Sequence, residues 1–129
     1  MAPIQSSSKI NGHYLGTEIN ERWWRRYMRD KMFARGNGEF WYDDEFIFFL
    51  RYLTSSPLSI SFLNVNEFKI GKWHAGKWGA GNPVLKVIWC KNGLKLSSGF
   101  LVSNKINELE DLILELKNKI ALKKHKECI

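Results

Sequence analysis

Val84-Leu-Lys-Val-Ile-Trp-Cys-Lys-Asn-Gly-Leu-Lys-Leu-Ser-Ser-Gly-Phe-Leu-Val102 is the stretch whose reading decides the fold. Two apolar-rich runs flank Lys91-Asn92-Gly93. Asn-Gly between such runs is the strongest short-range signal of a β-hairpin, because the tight turn needs residues that tolerate a positive φ. Ser97-Ser98-Gly99 reads as a bulge in the second strand. Downstream the period changes. Ile106, Leu109, Leu112, Ile113, Leu116 and Ile120 fall on one arc of a helical wheel, with Leu114 and Leu122 off it. Asn104 is placed to cap this helix, and Glu108, Glu110 and Asp111 sit near its positive end. A helix over 104–124 follows, with an apolar face that only the strands can cover.

Upstream of the hairpin the chain also reads as strands. Phe33-Ala-Arg35 and Glu39 to Tyr42 are short, and Asp43-Asp44 supplies a turn. Phe46 to Leu53 is apolar almost throughout, as a strand covered on both faces would be, until Ser55-Ser56-Pro57 breaks it. Leu58, Ile60 and Phe62 alternate with Ser59 and Ser61, and Val65 to Ile70 follows. Residues 17–32 read differently. Ile19, Trp23, Trp24, Tyr27 and Met28 fall on one side of a helical wheel, and Arg22, Arg25, Arg26 and Arg29 on the other. That spacing predicts an amphipathic helix capped by Thr17 and bearing an arginine stripe, which Glu18, Glu21 and Asp30 partly neutralise at i,i+4. Residues 1–16, with Pro3, three serines, Gly12 and Gly16, read as a flexible linker. The expected architecture is α+β and mainly β. About seven antiparallel strands over 33–102 form a barrel or sandwich, capped by a long C-terminal helix and preceded by an extra N-terminal helix, in one domain over 17–129.

Three further segments, together with this element order, carry a family likeness. Gly38-Glu-Phe-Trp-Tyr-Asp-Asp44, Leu58-Ser-Ile-Ser-Phe-Leu-Asn-Val65 and Val84-Leu-Lys-Val-Ile-Trp89, followed by the terminal helix, resemble the pleckstrin-homology-like superfold in its GRAM and GLUE-type variants. The resemblance covers about residues 33–122. It implies a barrel closed at one end by the helix and a non-catalytic domain that binds phosphoinositide headgroups, ubiquitin or other protein partners.

Composition bounds the function classes. The 129 residues carry 20 Lys and Arg against 13 Asp and Glu, a formal charge of +7, and include six Trp. Residues 1–35 alone hold seven of the bases and three of the acids, so the excess is concentrated there. A positive, aromatic-rich chain suggests an anionic or flat partner. Cys90 and Cys128 are too few for a disulfide framework, so reduced thiols and a cytoplasmic location, peripheral at a membrane if at one at all, are expected. No apolar run is long enough for a transmembrane helix or a signal peptide.

Gly71-Lys-Trp-His-Ala-Gly-Lys-Trp-Gly-Ala-Gly81 satisfies the G-x-x-x-x-G-K spacing of a phosphate loop. However, Trp78 stands where the magnesium-binding Ser or Thr belongs, and a strand rather than a helix follows. Nucleotide hydrolysis is therefore rejected. The loop instead presents Lys72, Trp73, Lys77 and Trp78, a pairing of rings and cations suited to an anionic lipid surface or a single-stranded nucleic acid. The plainer alternative is that both tryptophans fold back onto the strands. For Arg22, Arg25, Arg26 and Arg29 the functional reading is an anion-binding or partner-docking face, and the plainer one a solvated helix face. His13, His74 and His125 lack a second ligand at metal spacing, and no Ser or Cys sits in a nucleophile elbow, so neither metal, cofactor nor catalytic set is expected. The sequence therefore reads as a non-enzymatic adaptor. Its expected partner is a protein, a ubiquitin-like one among the candidates, or an anionic membrane surface. The alternative is a basic nucleic-acid-binding domain using the arginines and the Lys/Trp loop.

Overall fold

A computed structural model describes residues 8–27, 35–74, 77–78 and 82–121. The chain runs through β1 (Ile10–Ile19), β2 (Arg22–Arg26), β3 (Gly36–Tyr42), β4 (Phe46–Arg51), β5 (Leu58–Ser61), a 3-10 turn (Phe62–Asn64) and β6 (Val65–Gly71). It continues through β7 (Trp73–His74), β8 (Lys77–Trp78), β9 (Val84–Lys91), β10 (Leu94–Leu101) and α1 (Ile106–Ala121). Seven strands form one antiparallel sheet in the order β5-β4-β3-β1-β10-β9-β6; β2 pairs with β1, and β7 and β8 form a separate hairpin.

The sheet cannot be flat. Seven strands at ~4.8 Å spacing would span about 29 Å. Yet its two edges, β5 and β6, are joined by only the three residues Phe62–Asn64, a link whose four Cα–Cα steps reach about 14 Å at most. The sheet therefore curls until its edges approach each other. Phe62 is completely buried in that link, and its N–H donates to the Glu45 carbonyl at 3.0 Å. No β5–β6 pairing exists among the described residues, so the expected barrel is not closed.

Inside the curl, Phe100 sits among Tyr14, Phe40 and Phe49 at ring-centroid distances of 5.4, 5.4 and 5.7 Å. A buried chain of side chains runs beside them. The Tyr14 hydroxyl bonds Thr17 Oγ1, which lies 2.6 Å from Ser98 Oγ, and Trp89 Nε1 donates to that same Ser98 oxygen at 2.9 Å. Buried hydroxyls are tolerated because they satisfy one another. Leu109, Ile113 and Leu116 of α1 pack into the same core, with Leu112 and Ile120 partly buried against it. Two polar contacts fix the far end of the helix to the β3–β4 turn: Tyr42 donates its hydroxyl to Glu115, and Lys119 pairs with Asp44. Burial and the adjacent Glu115 carboxylate push the Tyr42 phenol up, keeping it neutral.

The 84–102 hairpin forms as expected, with Asn92 and Gly93 at φ 51° and 78°. The bulge lies opposite Gly99 but on the partner strand: the β1–β10 register shifts between Tyr14 and Gly16, and Gly16 takes φ 108°. β4 ends at Arg51 and buries one face only, Phe46, Phe48 and Leu50 remaining partly exposed. Ser103, not Asn104, supplies the hydroxyl at the helix start; it accepts from the Lys105 N–H and donates to Glu108. Ile106, assigned to the core arc, is 50% exposed. Residues 122–124 of the expected helix and Phe33 and Ala34 of an expected strand lie outside the described residues.

The largest correction concerns the N-terminus. The expected helix over 17–32 is absent from its described part, residues 17–27. Thr17 to Ile19 belong to β1, Asn20 and Glu21 form a turn with φ 56° at both, and Arg22–Arg26 is β2. The expected linker likewise gives way from Ile10 to the central strand of the sheet. Two consecutive positive φ values are incompatible with a right-handed helix and are those of a tight hairpin turn. Burial decides the contest, since Tyr14, Thr17 and Glu18 are enclosed in the middle of the sheet.

Candidate partner-binding groove

β6 is an edge strand: among the described residues it pairs with β9 and nothing else. Helix α1 lies beside that edge and leaves two hollows that share Ile70. One, of about 400 Å³, is lined by Phe68, Ile70, Glu110, Ile113, Leu114 and Lys117. The other, of about 570 Å³, continues along Gly71, Lys72, Asn82 and Pro83 to Asn104 and Ile106. Together they make a trough along the strand edge. Ile70, Ile106 and Leu114 line it at 37%, 50% and 60% exposure. Ile70 belongs to both hollows, with Leu114 beside it in the first and Ile106 in the second.

Among the described residues the trough is lined by one carboxylate, Glu110, and by Lys72 and Lys117, both exposed. A charge cluster ties the β1–β2 turn to β6 and β10: Glu21 accepts from Lys69 at 2.6 Å and from Lys95 at 2.9 Å. Those two ammonium groups hold the Glu21 carboxyl below its ordinary value, and Glu21 and Glu67 raise Lys69.

Of the residues singled out from sequence, Lys72 is exposed and lines the trough. Trp73 and Trp78 are register partners in the β7–β8 hairpin, and His74 pairs with Lys77. The β7 backbone lies against β1 and β9, so this part of the loop returns to the sheet. Arg22 is exposed, and Arg22, Arg25 and Arg26 lie in β2 rather than in the expected helix. Arg29 lies outside the described residues. The groove residues Ile70, Ile106 and Leu114 were not singled out as a site. Leu114, off the core arc of its helix, was the one available signal.

Among the described residues no group of three His, Cys, Asp or Glu is placed to hold a metal ion. Cys90 is disulfide-bonded, not the reduced thiol expected; Cys128, the other cysteine of the sequence, lies outside the described residues. No helix among the described residues is long and apolar enough to cross a membrane. The chain matches no protein-family model and no curated protein.

Proposed function

We propose that this chain is a non-enzymatic adaptor domain of the pleckstrin-homology-like kind, and that it binds a partner protein in the trough between β6 and α1. The observation that carries the reading is the coincidence of an unpaired strand edge with three exposed aliphatic side chains from two elements. An edge strand offers backbone donors and acceptors to an incoming extended segment, and the adjacent hollows take its alternate side chains. Lys72 and Lys117 favour acidic residues in that segment. The seven-stranded curl and its terminal helix support the family resemblance, and a ubiquitin-like partner that offers an extended apolar segment fits the same trough.

Selection of random 12-residue peptides against the immobilised chain tests this. Recovered sequences should share alternating apolar positions flanked by Asp or Glu, and should lose binding at least tenfold against Ile70→Asp or Leu114→Asp. Ligands indifferent to both substitutions refute it.

A membrane reading is favoured by one specific observation. Leu53 is fully exposed on the β4–β5 turn beside the half-exposed Tyr52, whose N–H and hydroxyl bond Asn37 and Asn11 and so hold the turn rigid. Co-sedimentation with phosphatidylserine-rich vesicles that falls with salt and with Leu53→Ser would support it; no binding at low salt would end it. The same low-salt assay with a labelled oligonucleotide tests the nucleic-acid alternative.

A further inference from the structure

The outer face of β3 and β4 carries a second surface, distinct from the β6–α1 trough. Alternation sends Phe40, Tyr42, Ile47 and Phe49 into the core and leaves Glu39, Trp41, Phe46, Phe48 and Leu50 on the other side, each partly exposed. The register sets Trp41 opposite Phe48, and the two rings stack with centroids 5.2 Å apart and planes 21° from parallel. Phe46 extends the row at 5.7 Å from Phe48. The neighbouring β5 contributes only Ser59 and Ser61 opposite Phe48 and Phe46, side chains too small to cover the rings.

The row already holds a cation, since Lys9 Nζ lies 4.9 Å from the centre of the Trp41 ring. Carboxylates border it: Glu39 two residues before Trp41 on the same side, and the exposed Glu45 next to Phe46. Asp43 and Asp44 are close in sequence, but Asp43 is taken up by the turn amides and Asp44 by Lys119. Aromatic faces attract cations through their quadrupole, and the flat, weakly hydrated guanidinium does this best. Although the chain as a whole is basic, this patch is acidic and aromatic.

We infer that this face binds a cationic segment of a partner protein, with arginine side chains laid on Phe48 and Trp41 and their charge answered by Glu39 and Glu45. Lys9 holds the same ring as an internal competitor. Glu39 and Glu45 disfavour a nucleic acid here.

Fluorescence anisotropy at low salt, with a labelled peptide of alternating glycine and arginine and its lysine counterpart, tests the inference. The arginine probe should bind more tightly than the lysine probe. Trp41→Leu and Glu39→Gln should each weaken it about two- to fivefold, the size of an exposed cation–π or ion-pair contact. Lys9→Ala should tighten it by a similar factor, an effect that a merely structural role for Lys9 does not produce. Ile70→Asp, in the trough, should change nothing. Absence of binding, indifference to Trp41→Leu, or an oligothymidine probe that binds and is weakened by Trp41→Leu overturns the inference. Should Trp41→Leu fail to fold, the opposite shifts of Lys9→Ala and Glu39→Gln remain the test, and equal affinities overturn it.

Discussion

Replacing Thr17 by valine isolates the buried hydroxyl chain that joins β1 to β10 and β9. Valine keeps the volume and the β-branched shape, so little cavity or propensity effect enters. It removes the oxygen that joins Tyr14 to Ser98, two contacts at a residue with no solvent exposure. Ser98 Oγ keeps the Trp89 N–H but loses its oxygen partner, and water cannot replace it without opening the sheet. A buried hydroxyl left short of a partner costs roughly 1–3 kcal/mol. The expected loss is about 2 kcal/mol. For a domain of this size it corresponds to a fall in Tm of roughly 6–10 °C. Urea unfolding followed by tryptophan fluorescence measures it, with the Thr17→Val, Ser98→Ala double-mutant cycle supplying the coupling. That coupling should reach about 1 kcal/mol, because the two residues share one contact. A Thr17→Val loss below about 0.5 kcal/mol, or additive single mutants, would refute the buried chain and with it the placement of Thr17 in a central strand.

Three further outcomes are expected. The Glu21 carboxyl is held low by Lys69 and Lys95, so its stabilising contribution is complete above the ordinary Glu pKa near 4.3 and is lost as pH falls through the lower folded value. Glu21→Gln should therefore flatten acid denaturation below about pH 4 and leave the neutral-to-alkaline limb nearly unchanged, as denaturant midpoints against pH will show. Leu53 adopts φ 64° with its side chain wholly in solvent, so Leu53→Gly should stabilise the fold by about 0.5–1 kcal/mol in chemical denaturation. Cys90 should resist alkylation in the denatured, unreduced protein and accept it after reduction, as read by intact mass of the chain.

The parts of the fold that were legible in the sequence are those where local pattern and tertiary demand agree. In 84–102 alternation, β-branched residues and Asn-Gly all favour a hairpin, and Leu109, Ile113 and Leu116 repeat at the helical spacing and pack into the core. Residues 17–26 conflict. Their arginines and aromatics match a helical period by coincidence, while Thr17 and Glu18, polar residues that suggest a surface, are enclosed by neighbouring strands. Asn20 was the local clue, since Asn tolerates the positive φ it adopts. The trough was illegible for a different reason. Ile70, Ile106 and Leu114 are adjacent only because α1 returns along the β6 edge, and no local period reports a contact between residues so far apart in the chain.

The central claim is that the β6 edge and α1 together receive an extended partner segment. Its most direct test is the map of backbone amide shift changes when an isotope-labelled chain is titrated with a peptide from the random-library selection. The account predicts changes concentrated in Val65–Gly71 and along the Ile106–Leu114 side of α1, with new protection of β6 amides from hydrogen exchange. Changes centred on the β4–β5 turn or on β2, with β6 unmoved, would contradict it.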